Sequence, residues 1–196
     1  MNKGPLLFIV SAPSGAGKTS LCKEVVTHVP DLYFSISYTT RSPRQNEIKG
    51  VDYQFVSPGK FRRMIEEGQL VEWTEIYGNF YGTSKTSVEE YRSKGTDIVF
   101  DIDPVGARRI KEEYSDSVTI FVLPPSYGEL KERLIQRGTD DESVIKKRLD
   151  KAREEIEQSN WYQYQIVNDD FKRAVKQLED NIASKRLKRK QKLVSQ

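Results

Sequence analysis

The sequence predicts an α/β fold: a parallel sheet flanked by helices, with a β-rich lobe inserted into it and a helical lid. Three observations carry this expectation. Four short apolar runs, at 6–10, 98–103, 118–123 and 165–168, are separated by stretches with helical periodicity, the alternation expected of a sheet covered on both faces. Residues 33–83 interrupt that alternation with β-formers and turn residues. Residues 126–159 interrupt it again with a helical pattern crowded with Arg, Lys and Glu.

Taken in order, LLFIV at 6–10 reads as a strand apolar on both sides and SAPSGAGKTS as the turn after it. A helix is expected over 19–29, closing the first strand–loop–helix unit. Within 33–83, YFSISYTT, DYQFVS and LVEWTEIYGNFYGT read as strands, with Gly78-Asn79 supplying a turn in the last. Between them Ser57-Pro58 starts a short helix, Ser as N-cap and Pro in the first turn. Further crossover helices are expected over 105–113 and 170–186. The charged helical pair at 126–159 has the character of a lid. The expected division is one domain over 1–184: core 1–32, 95–125 and 160–184, inserted lobe 33–94, lid 126–159. A basic tail, 185–196, follows.

Composition narrows the function classes. With 36% apolar and 31% charged residues among 196, the chain suits a soluble domain with a modest core. No run approaches the roughly 20 apolar residues of a membrane span. No A-x-A-like site follows the first apolar stretch, so no secretory leader is expected. A single cysteine, Cys22, fits a reducing cytoplasm and reads as buried filler. The net charge of +3 is concentrated in the tail, where KRLKRKQK holds six basic residues; the remainder has 26 basic against 29 acidic. Without an accompanying nucleic-acid motif, the tail reads as a solvated helix end whose removal spares catalysis, and no nucleic-acid partner is expected.

Residues 12–19, A-P-S-G-A-G-K-T, match the phosphate-loop pattern G-x-x-x-x-G-K-[ST] at every position but Ala12. The whole stretch Ser11, Ala12, Pro13, Ser14, Gly15, Ala16, Gly17, Lys18, Thr19 and Ser20 is therefore the candidate phosphate cradle, of a kind that GTPases, ATPases and small-molecule kinases share. Gly15 and Gly17 let backbone N–H groups turn inward, the helix after them adds its positive end, and Lys18 reaches the β/γ-phosphates. Thr19 offers a hydroxyl to Mg²⁺. Ala12 is harmless at negative φ and harmful at positive φ. His28, the only histidine, falls at the far end of the helix and has no catalytic role.

The acceptor is sought in the inserted lobe. Arg41 and Arg44 flank Pro43 and suit a forked grip on phosphate, with Tyr53 and Tyr81 as phenolic donors; taken alone, the two arginines read first as surface charges of a loop. Glu72 lies in LVEW, where a carboxylate among apolar neighbours needs donors. Guanine offers N1–H and N2–H₂ side by side; a strand acid facing solvent is the other reading.

Together these residues resemble one family. S-x-T-T-R-x-P-R from Ser37, G-x-D-Y-x-F from Gly50, Glu72-Trp73, G-N-F-Y-G-T from Gly78, D-I-D from Asp101 and V-N-D-D from Val167 follow the phosphate loop in order. That ordered set is similar to the guanylate kinases over about residues 4–184. The resemblance implies ATP + GMP ⇌ ADP + GDP, with Arg41, Arg44, Tyr53 and Tyr81 on the GMP phosphate. It places Ser37, Glu72 and Thr83 on the guanine, with Asp101 and Asp103 beside it. It assigns Arg133, Arg137 and Arg148 of the lid to ATP, with Arg133 and Arg148 joining Lys18, Arg41 and Arg44 in catalysis, and Asn168 to the adenine side. Val105 departs from the family's usual Gln. Another nucleoside monophosphate kinase, or a guanylate-kinase-like binding module without catalysis, are the rival readings.

Overall fold

The computed structural model describes residues 4–136, 138 and 141–194. Five parallel strands form the central sheet: β1 (Leu7–Ser11), β2 (Leu32–Ser35), β7 (Asp97–Asp101), β8 (Val118–Leu123) and β9 (Tyr164–Val167), in the order β2-β7-β1-β8-β9. The apolar run at the first strand is explained by its central position. Phe8 and Val10 face one core with α1 (Lys18–His28) and α7 (Phe171–Val194), where Leu21, Cys22, Val25, Leu178 and Ile182 pack. Leu7 and Ile9 face the other, with Phe100, Phe121 and α4 (Pro104–Glu113), whose Ala107 and Ile110 are buried. A strand covered on both faces has no polar side to alternate with.

A second sheet, β4-β3-β6-β5, is built from β3 (Tyr38–Thr39), β4 (Gln54–Phe55), β5 (Leu70–Ile76) and β6 (Asn79–Ser84). Helix α2 (Pro58–Glu66) enters it as expected, with the Ser57 side chain accepting from Lys60 N and Pro58 in the first turn. β5 and β6 form a hairpin through Tyr77 and Gly78, both at positive φ. Helix α3 (Lys85–Ser93) leads back to β7. The charged segment folds as α5 (Tyr127–Gln136) and α6 (Glu142–Glu157), joined by a small apolar contact of Leu130, Leu134, Ile145 and Ala152. No helix among the described residues is long and apolar enough to cross a membrane.

Two sequence expectations shift. Residues 33–35, read with the inserted lobe, belong to β2 and pair in parallel with β7; as an edge strand with half-buried Tyr33 and Phe34, it lacks the continuous apolar signature. The last helix does not end near 186 but runs to Val194. Its basic end is anchored: Arg186 Nε lies 2.7 Å from Asp97 Oδ2 and Arg189 Nη1 2.9 Å from Asp97 Oδ1. Arg186 also donates to the Pro30 and Asp31 carbonyls, and Leu6 N donates to Asp97. Asp97, 2% exposed, thus starts β7 as a charge neutralised by the tail.

Removing residues 185–196 strips both guanidiniums from a buried carboxylate. We expect a loss of about 2–4 kcal/mol, reduced from a fully buried pair because the arginines are partly hydrated. Urea unfolding should show the same loss for R186A/R189A and almost none for K188A/K190A.

Candidate functional site

The site lies at the carboxyl ends of the central strands, where an open α/β sheet leaves its crevice. The loop after β1 turns through Gly15 and Gly17 at φ 95° and 89°, a region that side-chain-bearing residues rarely adopt. At Gly17 a Cβ would also collide with Asn168 Nδ2, and at Gly15 it would come 3.1 Å from Leu130 and Leu134 of α5. Among the described residues, only Asp31 and Tyr77 have positive φ outside glycine. Ala12 therefore has ordinary backbone and packs into the core, so its methyl costs the loop nothing. Ala16 N donates to Pro13 O, closing the loop.

Three side chains of the loop have partners at the end of β7. Lys18 Nζ lies 2.7 Å from Asp101 Oδ1 and donates to the Ile102 carbonyl at 2.7 Å. Burial alone would push its ammonium down; the Asp101 carboxylate overrides this and holds it above its ordinary value. Thr19 Oγ1 donates to Asp101 Oδ2, and Ser11 Oγ to the Ile102 carbonyl at 2.9 Å. Ser20 and Thr19 are exposed at the helix start. Asn168, after β9, donates through Nδ2 to the Ala16 carbonyl at 2.7 Å. Its side chain thus braces the loop from below, a contact the sequence reading did not anticipate.

In the second sheet, cross-strand register sets Glu72 of β5 opposite Thr83 of β6. Thr83 Oγ1 donates to Glu72 Oε1 at 2.6 Å, and both are almost fully buried. Burial pushes the Glu72 carboxyl up to about 7; the Thr83 bond opposes the shift and the charge on Asp103 adds to it. Ser37, also buried, sits between β2 and β3. Tyr53 and Tyr81 meet edge to face with centroids 6.1 Å apart. Burial, then the Asp101 charge, raises the Tyr53 phenol, and the Arg41 guanidinium lies over its ring, 5.5 Å from the centroid.

Arg41 and Arg44 are held by a residue the sequence reading missed. Glu47 Oε1 lies 2.8 Å from Arg41 Nη2 and 3.5 Å from Arg44 Nη1, while Oε2 accepts Arg44 N at 2.8 Å. Burial works against the Glu47 carboxylate, but the Arg41 bond and the Arg44 N–H prevail and lower it. The carboxylate orients the two cations toward one another; a charged i, i+3 and i, i+6 spacing was its only trace in sequence.

From the lid side, Arg133 donates to the Asn168 carbonyl at 3.0 Å and Arg148 to Ser14 Oγ at 3.3 Å. Arg148 also lies over the Tyr77 ring at 5.4 Å, so it stands between the phosphate loop and the β5–β6 hairpin tip. Arg137 lies outside the described residues. Asp103 is engaged as the N-cap of α4, Oδ1 accepting Val105 N at 2.7 Å and Gly106 N at 3.2 Å. Val105 itself is 48% exposed.

The guanylate kinase family model matches residues 5–185. The chain belongs to the guanylate kinase family. A guanylate kinase of Geobacter metallireducens is 50% identical over 95% of this chain and 92% of its own. One from Clostridioides difficile is 46% identical over 95% and 91%. The crystal structure of guanylate kinase from Anaplasma phagocytophilum superposes with a TM-score of 0.77 at 30% identity, covering 93% of this chain and 86% of that one. Family membership agrees with the parallel sheet and flanking helices seen here.

Kinases of this family are ATP-dependent and generally use Mg²⁺. The donors present suit that ion: Thr19 Oγ1 and the Asp101 carboxylate are hard oxygen ligands set side by side. Among the described residues no cluster of three or more His, Cys, Asp or Glu could hold a metal.

Because the folded Glu72 carboxyl titrates near 7 against an ordinary 4.5, the folded state binds more protons than the unfolded state between these values. Stability should therefore fall as pH rises from about 4.5 to 7. Glu155 of α6, pushed up to about 7 by burial, acts in the same window. The readout is the difference between wild type and E72Q in unfolding midpoint, which should open toward pH 7 in favour of E72Q.

Proposed function

We propose that the chain transfers the γ-phosphoryl group of ATP to GMP, and through the same contacts to dGMP, forming ADP and GDP in cytoplasmic purine nucleotide metabolism and GMP recycling. The observation that carries this reading is the buried Glu72–Thr83 pair: Thr83 Oγ1 donates to one Glu72 oxygen, and the other lies against Gly106 in the first turn of α4, the helix that follows the Asp101 paired with Lys18. A phosphate loop alone serves many chemistries. A carboxylate acceptor beside it selects a base with adjacent N–H donors, which guanine has and adenine lacks.

In this reading residues 36–94 form the GMP lobe, 126–159 the lid, and 1–35, 95–125 and 160–184 the core, β2 lying in the central sheet. ATP lies on Ser11–Ser20, with Arg133, Arg137 and Asn168 against it. GMP is held by Arg41, Arg44, Tyr53 and Tyr81 at its phosphate and by Ser37, Glu72 and Thr83 at its base. Asp101 belongs as much to the donor side, through Lys18 and Thr19, as to the GMP side. Asp103 acts through α4, as its cap.

A phosphate oxygen of GMP, already deprotonated near neutral pH, attacks the γ-phosphorus while the bond to the β–γ bridging oxygen breaks. No general base is needed. The barrier lies in bringing two anions together, so positioning and charge neutralisation dominate. Lys18 stabilises the β/γ oxygens and the leaving group, Arg41 and Arg44 fix the acceptor phosphate, and Arg148, based at Ser14, and Arg133 neutralise the transferring group. Mg²⁺, held through Thr19 and Asp101, supplies further charge stabilisation when bound. Lid closure keeps water from the γ-phosphate.

A coupled ADP-release assay over GMP, dGMP, AMP and UMP tests the assignment. GMP and dGMP should be turned over and the others poorly used. K18A should keep its fold and lose turnover on the order of 10²-fold or more; near-normal turnover would refute the role of Lys18. E72Q should lose preference for GMP over AMP, because a paired acceptor becomes a mixed amide. An unchanged preference removes Glu72 from base reading.

A further inference from the structure

Gly106 is a glycine that its own backbone does not require. It lies in the first turn of α4, is buried, and is absent from the positive-φ residues. Alanine is the better helix former at such a position. What excludes a side chain is the neighbouring strand: a Cβ on Gly106 would sit 2.7 Å from Glu72 Oε2 and 3.2 Å from Glu72 Cδ.

Glu72 has little room to retreat. Its other oxygen accepts Thr83 Oγ1 at 2.6 Å, and the residue is 3% exposed. On the next turn of the same helix face, Arg109 donates to the Trp73 carbonyl, with its guanidinium 5.1 Å from the Trp73 ring centroid. Helix α4 thus grips the strand at residue 73 and leaves a gap for the carboxylate at residue 72. Asp103 Oδ2, 3.6 Å from the same Cβ position, repels a carboxylate displaced toward the helix start.

We infer that Gly106 is a specificity-determining positioning residue: by lacking a side chain it seats the Glu72 carboxylate so that both oxygens stay in place to read the N1–H and N2–H₂ edge of guanine. This rests on the base-reading role proposed for Glu72. Gly106 touches no substrate; it acts through Glu72.

The test compares wild type, G106A, E72D, G106A/E72D and E72Q in full-length protein, with GMP and IMP as acceptors, since IMP lacks the N2 amine. G106A should raise KM for GMP about 10-fold or more, with kcat at saturating GMP within about 3-fold and KM for ATP unchanged. Its preference for GMP over IMP should shrink. In the E72D background, where the acid is one methylene shorter, adding G106A should cost much less. Thermal melting is followed in parallel: early melting of G106A that recovers in G106A/E72D supports the same contact, and early melting without recovery overturns it. Unchanged GMP KM and preference in G106A, with preference lost in E72Q, overturns the inference and leaves the Glu72 reading standing. Preference retained in E72Q overturns that reading, and this inference with it.

Discussion

The buried Lys18 ammonium, held between Asp101 and the Ile102 carbonyl, is the contact on which the site is organised. A lysine withdrawn from water tends to lose its proton, and a neutral amine would be of no use against phosphate. Asp101 prevents this, and does so because β1 and β7 are neighbours in parallel register, Val10 beside Asp101. The loop after one strand and the end of the next are thereby joined by charge. Thr19 uses the second oxygen of the same carboxylate, so one acidic residue orders both functional side chains at the start of α1.

The same arrangement recurs in the lobe. Glu47 holds Arg41 and Arg44 together as Asp101 holds Lys18. Two guanidiniums brought close without an intervening anion would repel, and their side chains would lose considerable freedom on binding a phosphate. Their pairing with a carboxylate keeps both oriented at modest cost. An arriving phosphate then finds cations already placed, the condition under which electrostatic stabilisation is most effective.

Helix α4 and the end of α7 show how distant parts of the chain set these positions. Asp103 starts α4, and α4 then fixes residues 72 and 73 of the other sheet through Gly106 and Arg109. At the opposite end of β7, Asp97 receives Arg186 and Arg189. β7 therefore carries a carboxylate at each end, one tied to the phosphate loop and one to the basic tail. The tail, which composition alone presents as a solvated charge run, closes the core by occupying the amino end of that strand.

Much of this was legible in the sequence because it is local. The apolar runs marked β1, β7 and β8 since buried parallel strands have no polar face. Strand β9 was marked by its Ile166-Val167 pair before the V-N-D-D motif although it lies at the sheet edge, and the loop motif marked its own glycines since their positive φ demands them. Ser57-Pro58 marked the start of α2 by capping chemistry. The ordered motifs from Ser37 to Asp170 carried the family. Strand β2 was not legible, because an edge strand with half-buried aromatics looks like the lobe beside it. Nor were the roles of Glu47, Asn168, Asp97 and Gly106, whose partners lie 3 to 152 residues away. Sequence alone determined which chemical groups the chain possesses and the backbone conformations they favour. The tertiary structure decided which charges meet, and therefore which are neutralised, since an ion pair depends on distance in space and on exclusion of water, neither of which is encoded at any single position.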